Sequence, residues 1–456
     1  MTIPRIVIGA TGSGAGKTSV TIAILGAMRA RGLKVAPFKC GPDYLDPTYH
    51  ARAAGTLSHN LDGWMMGRNA VLTTFNRVAR DADIAVIEGV MGLFDGATPT
   101  ANEGSTAEIA EWLGAPVLLA VDASGMARTV AAIAHGFRHF DPHLNLAGVI
   151  CNRVGSRGHL ELLKAASNVV PVLGGFPEDA AIAFPERHLG LLSAIDSAIP
   201  QERFDTWARR ADEWLDLDGI LALARSAPPL PDSTALAGRS SPRCRIGIAY
   251  DEAFHFYYDD NLRQLETTGA EFVKFSPVHD SSLPAVDGLY LGGGYPEVAA
   301  AELSENRSMI EAVRSFAGRG GPVYAECGGL MYVARSIRTL DGHSWPMAGL
   351  IPTEAVMNDR LQALGYAEVT TNAPSILGPA GVKFRGHQYR YSTLEPAPDG
   401  VERIYRVNPR WGGEQSAEGY RVGNVVASYV HAHWASNPSI PAALVETCAQ
   451  WRNNCR

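Results

Sequence analysis

Five short runs rich in valine and isoleucine dominate the front of the chain: Ile6–Gly9, Val35–Phe38, Ile84–Glu88, Pro116–Asp122 and Leu146–Asn152. They have no polar face, so each must be covered on both sides, as strands of a parallel sheet are. Ala-rich stretches such as Ser19–Arg29 and Arg128–Phe137 lie between them and fit crossover helices. Strand and helix in regular alternation predict a doubly wound α/β sheet. The rhythm stops at Ala224–Arg243, which carries four prolines and almost no periodic apolar face. That is the composition of a linker. Beyond it the pattern resumes with Ile246–Tyr250, Gly288–Leu291, Pro322–Ala325 and Val425–Val430. The expectation is two α/β domains, 1–224 and 243–456, joined by a linker at 225–242, which suits a chain of 456 residues.

Composition narrows the function. Asp plus Glu outnumber Lys plus Arg by 47 to 40, and no basic cluster offsets the net charge of −7. Nucleic-acid binding, which depends on neutralising phosphates, is therefore not expected. No run approaches the ~18 apolar residues of a membrane span, and the first residues lack a secretory pattern. A cytoplasmic protein is the expectation, with a symmetric homodimer as the default assembly. Six scattered cysteines (Cys40, Cys151, Cys244, Cys327, Cys448, Cys455) form no C-x-x-C pair. A zinc site or a disulfide framework is not expected, so any special cysteine should be special for reactivity.

The first strand runs into Thr11-Gly12-Ser13-Gly14-Ala15-Gly16-Lys17-Thr18, and a helix follows. Glycines at Gly12, Gly14 and Gly16 let backbone N–H groups approach phosphate, and the helix N-terminus adds favourable partial charge. Lys17 would reach the β- and γ-phosphates of ATP, and the Thr18 hydroxyl would ligate Mg²⁺. Thr11 stands where the usual pattern has glycine. Glu88, at the carboxyl end of its strand, is either a second Mg²⁺ ligand or an exposed strand-end carboxylate. Asp43 and Asp46, in Gly41-Pro42-Asp43-Tyr44-Leu45-Asp46-Pro47, either bind metal and substrate or simply form the turn. Asn152 either reads a base at the sheet edge or caps the next helix.

A second constellation lies at the back. Pro322–Met331 reads as strand, sharp turn and helix, with Cys327 at the turn, where a helix N-terminus lowers thiol pKa. Gly293, Gly294 and Gly328 can supply oxyanion-stabilising N–H groups. His431, with His433 two residues on, is the candidate base. Singly, the cysteine reads as a buried small hydrophobe and the histidines as ordinary imidazoles. Three strand-end elements in this order fit a cysteine amidotransferase.

With both constellations in place, the chain resembles the corrin-ring glutamine amidotransferases over nearly its whole length. In that family a dethiobiotin-synthetase-like phosphate-loop domain precedes a class I-type glutaminase domain. Gly41–Pro47, Glu88–Gly96, Phe254-His255-Phe256-Tyr257-Tyr258 and Ser428–Trp434 are most similar to the cobyrinic or hydrogenobyrinic acid a,c-diamide synthases. The resemblance implies that ATP and Mg²⁺ activate the a and c acetate carboxylates of a tetrapyrrole (corrinoid) substrate as acyl phosphates. Glutamine would supply the ammonia through Cys327 and His431. Class I enzymes usually carry His-x-Glu, and here His433 occupies the Glu position. The third triad member is then His433, a carboxylate elsewhere, or absent. Arg385–Ser392 resembles a family stretch that often has an acid at Gln388, and it receives no role. Cobyric acid synthase-like and nickel-sirohydrochlorin amidases are the neighbouring readings. A regulatory phosphate-loop ATPase with a degenerate amidotransferase domain is the distant one.

Overall fold

Strands without a polar face need cover on both sides. The computed structural model, which describes residues 2–179, 199–231, 241–397 and 400–454, supplies it with helices. The chain divides into two units, Met1–Ala235 and Leu236–Arg456.

The strands of the first unit are β1 (Arg5–Ala10), β2 (Val35–Cys40), β3 (His59–Leu61), β4 (Ile84–Glu88), β5 (Val117–Asp122), β6 (Leu146–Val154) and β7 (Val172–Pro177). They form one sheet in the order β3-β2-β4-β1-β5-β6-β7, and every pairing is parallel. All carboxyl ends therefore meet at one edge, where ligands bind in open α/β sheets. The helices are α1 (Lys17–Ala30), α2 (Asp46–Ala54), α3 (Gly63–Val78), α4 (Thr106–Leu113), α5 (Thr129–Phe140), α6 (Arg157–Ala166), α7 (Gln201–Trp214) and α8 (Leu217–Arg225). Gly26 lets α1 lie close on α7, since a Cβ there would come 3.1 Å from that of Ala208. Of the linker expected at 225–242, residues 232–240 lie outside the described residues, as does Cys455. Before that stretch the chain is pinned by buried Arg5, whose guanidinium donates to the carbonyls of Pro228 (2.6 Å) and Leu113 (2.5 Å).

The second unit begins with β8 (Cys244–Ala249), α9 (Asp259–Thr268), β9 (Ala270–Phe275), β10 (Gly288–Leu291), α10 (Ala300–Glu305), α11 (Arg307–Gly318), β11 (Val323–Glu326) and α12 (Gly328–Val333). Then come β12 (Ala334–Arg338), β13 (Ser344–Pro346), β14 (Ile351–Met357), β15 (Ala363–Thr371), β16 (Lys383–Arg390) and β17 (Ser392–Glu395). It closes with β18 (Glu402–Pro409), β19 (Ser416–Val422), β20 (Val425–Ser428), β21 (His431–His433) and α13 (Ser439–Asn454). Ten strands share a sheet in the order β21-β16-β15-β18-β19-β20-β11-β10-β8-β9. Its second half, from β20 to β9, is parallel. The first half is an antiparallel extension that the apolar runs did not announce, because its strands mix buried positions with part-exposed and exposed ones.

Candidate active sites

In the first unit, β1 delivers the chain into Gly12–Gly16 and α1 starts at Lys17. Gly14 (φ 79°) and Gly16 (φ 96°) adopt the left-handed conformation that glycine takes at no steric cost. Gly16 is also required by space, since a Cβ would fall 2.1 Å from the Asn152 amide nitrogen. That amide donates to the Ala15 carbonyl (3.2 Å), so Asn152 braces the loop itself. The Lys17 ammonium folds back onto the carbonyls of Gly12 (3.3 Å) and Met91. Burial, and then the charge of Lys39, lower its pKa.

The Thr18 hydroxyl donates to Glu88 Oε1 at 2.8 Å, which brings two hard oxygen ligands together beside the loop. That donor set suits Mg²⁺. Glu88 is fully buried and has further partners: Lys39 Nζ at 2.8 Å from Oε1 and His50 Nε2 at 2.5 Å from Oε2. Lys39 also pairs with Asp46 at 2.7 Å. Burial disfavours charge on Glu88, but Lys39 and His50 together outweigh it and the carboxyl is held below its usual range. Burial likewise opposes the Lys39 charge, and Asp46 and Glu88 together reverse that, so it stays an ammonium. Asp43 Oδ1 accepts from the backbone N–H groups of Leu45 (2.7 Å) and Asp46 (3.2 Å) at the start of α2. Lys39 and His50 went unremarked in the sequence. A lysine ending a strand beside the phosphate loop was the available signal for the first; His50 gave none.

In the second unit β11 lies between β10 and β20, with Leu291 opposite Ala325 and Glu326 opposite Ser428. Three strand ends thus meet: the Gly292–Glu297 turn, Cys327, and the segment entering His431. Cys327 occupies a sharp elbow at φ 47°, ψ −97°, a strained conformation of the kind that gathers at active sites. Its N–H donates to the Ser428 carbonyl (2.8 Å), and the Gly329 N–H to that of Gly292 (2.9 Å). Gly328 lies against the turn, where a Cβ would be 3.1 Å from Gly294 N. A Cβ on Gly293 would come 2.5 Å from His431 Cε1, so the imidazole packs directly on this turn.

Burial lifts the Cys327 thiol to about 12, with Glu297 the next contributor, and pushes His431 down to about 3. Both resting groups are thus neutral at physiological pH, the protonation states in which an imidazole can take a thiol proton. The His433 imidazole makes no hydrogen bond to described residues; it lies 4.7 Å from the Tyr258 ring, and burial lowers it to about 4. His387 instead stacks on His431, with ring centroids 4.9 Å apart, and its Nδ1 is 3.1 Å from the Tyr258 hydroxyl.

Glu326, which also escaped the sequence reading, accepts from the Tyr324 hydroxyl (2.7 Å), the Tyr290 hydroxyl (3.0 Å) and the Ala432 N–H (3.0 Å). Its carboxyl, raised to about 7 by burial, joins the residue before the thiol to the one after His431. Among the described residues no helix is long and apolar enough to cross a membrane.

Comparison with known proteins covers both units. Residues 6–192 match the family described as the CobQ/CobB/MinD/ParA nucleotide binding domain. Residues 245–439 match the CobB/CobQ-like glutamine amidotransferase domain. The chain is 51% identical over 447 residues to the cobyrinate a,c-diamide synthase of Leptospira interrogans serovar copenhageni, covering 98% of each. It is 49% identical to the enzyme of that name from Syntrophotalea carbinolica, over 98% of this chain and 99% of the relative. For that of Salmonella typhimurium the identity is 42%, over 95% and 96%.

Proposed function

The chain belongs to the cobyrinate a,c-diamide synthase family, and we propose from that premise how its two units divide the reaction. It is a glutamine-hydrolysing amide ligase of cobalamin biosynthesis. A carboxylate does not yield to ammonia directly, because its leaving group would be oxide. Transfer of the γ-phosphoryl of ATP to the substrate carboxylate gives ADP and an acyl phosphate. Ammonia then adds to the acyl carbon and phosphate departs, leaving the amide.

The first unit performs the transfer. The glycine loop and Lys17 hold the phosphates, and the buried Lys39–Glu88–Asp46 network fixes the floor beneath them. Mg²⁺, held by Thr18 and Glu88, would neutralise charge on the transferring group. Asp43 and Asp46 sit at the start of α2, where they shape the loop offered to metal and substrate. Asn152 acts by bracing the phosphate loop.

The second unit makes the ammonia. His431 takes the thiol proton as Cys327 sulfur attacks the glutamine carboxamide carbon, and N–H groups of Gly293, Gly294 and Gly328 face the developing oxyanion. The proton passes to the departing ammonia. Water then cleaves the thioester to glutamate, restoring the thiol. His433 sits at the family's Glu position without a hydrogen bond to His431, so the pair works without a carboxylate there.

The observation that carries this reading is the meeting of the Cys327 elbow, the glycine turn and His431 at three adjoining strand ends. Cys327→Ala should abolish glutamine-dependent amidation and retain amidation at high free ammonia, scored by product mass with ATP, Mg²⁺ and cobyrinate. Failure of ammonia to rescue the variant would overturn the division of labour.

A further inference from the structure

Lys39 and Glu88 stand opposite one another on the paired strands β2 and β4, so their side chains leave the sheet on the same face. Helix α2 covers that face. Its residues Asp46 and His50 are four apart, about one turn, and therefore point the same way. Asp46 meets the cation, with Oδ2 2.7 Å from Lys39 Nζ. His50 meets the anion, with Nε2 2.5 Å from Glu88 Oε2. These side chains are all buried, His50 and Glu88 completely.

The oxygens of Glu88 are held by different elements. Oε1 accepts from the Thr18 hydroxyl and from Lys39 Nζ, both at 2.8 Å. Among the described residues, Oε2 is held by His50. A carboxylate oxygen accepts and does not donate, so Nε2 carries the hydrogen. Nδ1 is then the acceptor that faces the Ser58 hydroxyl, at 3.4 Å. A glutamate carboxylate turns about its last carbon–carbon bond, and that torsion has broad minima. Thr18 and Lys39 share one oxygen, so a donor on the other is what stops the turn. Hydrogen-bond partners behind a metal-binding carboxylate orient it in this way.

We propose that His50 is a positioning residue for the phosphoryl transfer: it fixes the Glu88 carboxylate so that Oε1 stays turned to Thr18, where both residues take up Mg²⁺. This rests on the reading of Thr18 and Glu88 as Mg²⁺ ligands. His50 acts through Glu88 rather than on the reacting atoms. It gives α2 a double task, since the helix begins in the loop that carries Asp43 and Asp46 and one turn later sets the metal carboxylate.

The test uses the full chain with stoichiometric ADP and Mn²⁺ as a paramagnetic stand-in for Mg²⁺, free Mn²⁺ being read by electron paramagnetic resonance. His50→Leu should weaken Mn²⁺ binding by about 10- to 100-fold. The Mg²⁺ concentration for half-maximal ADP release with ammonia and cobyrinate should rise by a like factor. His50→Gln, whose amide nitrogen reaches about as far as the imidazole Nε2, should recover most of the loss. Loss without that recovery would assign the effect to packing and overturn the proposal. His50→Leu binding Mn²⁺ within about twofold of the parent, while Glu88→Gln is weakened by about tenfold or more, would overturn the role of His50 alone, even if its melting temperature falls. Glu88→Gln binding within about twofold of the parent would overturn the metal reading and this proposal with it. Should His50→Leu fail to melt cooperatively, His50→Asn replaces it. Its amide falls short of Glu88, so a Mn²⁺ affinity equal to that of His50→Gln would overturn the proposal.

Discussion

Gly293→Ala isolates the contact between the glycine turn and the base. The φ of Gly293 lies outside the left-handed region, so the backbone accepts alanine. The added methyl would lie 2.5 Å from His431 Cε1 and 3.3 Å from Nδ1. Carbon atoms settle at about 3.5–4.0 Å, so the imidazole must retreat by about 1 Å. Its room is limited: the His387 ring stacks on it at 4.9 Å between centroids, and its strand is paired to β16. A misplacement of ~1 Å costs about 100-fold in rate, or about 2.7 kcal/mol of transition-state stabilisation. Overpacking itself should cost stability about 1–3 kcal/mol. The assay compares glutamate formation from glutamine with ADP release driven by free ammonia. The first should fall about 100-fold and the second hold. Glutamate formation within about threefold of the parent would refute the placement of His431 as the base against this turn.

Two further outcomes follow from buried charge. Lys39→Met would leave Asp46 and Glu88, now bonded to Nζ at 2.7 and 2.8 Å, as buried carboxylates without their cation. A loss of about 3–5 kcal/mol follows, lowering the melting temperature of the first unit by about 6–20 °C in calorimetry; an unshifted transition would contradict it. The pH profile of the glutaminase gives the other. His431 sits at about 3, so acidification to pH 5 should not protonate it and should spare kcat. A kcat that falls between pH 7 and pH 5 would contradict this and would point instead to Glu326, which burial brings to about 7.

What the sequence revealed was local. The phosphate loop needs only a strand, glycines at fixed spacing, and Lys17-Thr18. The elbow at Cys327 needs only an apolar strand, a Gly-Gly turn and a helix. Strand ends were legible because parallel strands announce themselves as unbroken apolar runs, and the observed β4 and β10 coincide with the expected ones. The unread parts depend on partners remote in the chain. Lys39 meets Glu88 across 49 residues, and Glu326 meets Ala432 across 106. No spacing rule encodes such contacts; only the strand order creates them. The antiparallel strands from β15 to β19 stayed hidden because part of each is exposed.

The carboxylate of Glu326 grips the amide that follows the base while belonging to the residue that precedes the thiol. The segments carrying sulfur and imidazole are thereby tied to one carboxylate. Cutting that tie by Glu326→Ala should therefore loosen the elbow and the histidine strand together, two places far apart in the chain that answer to a single side chain.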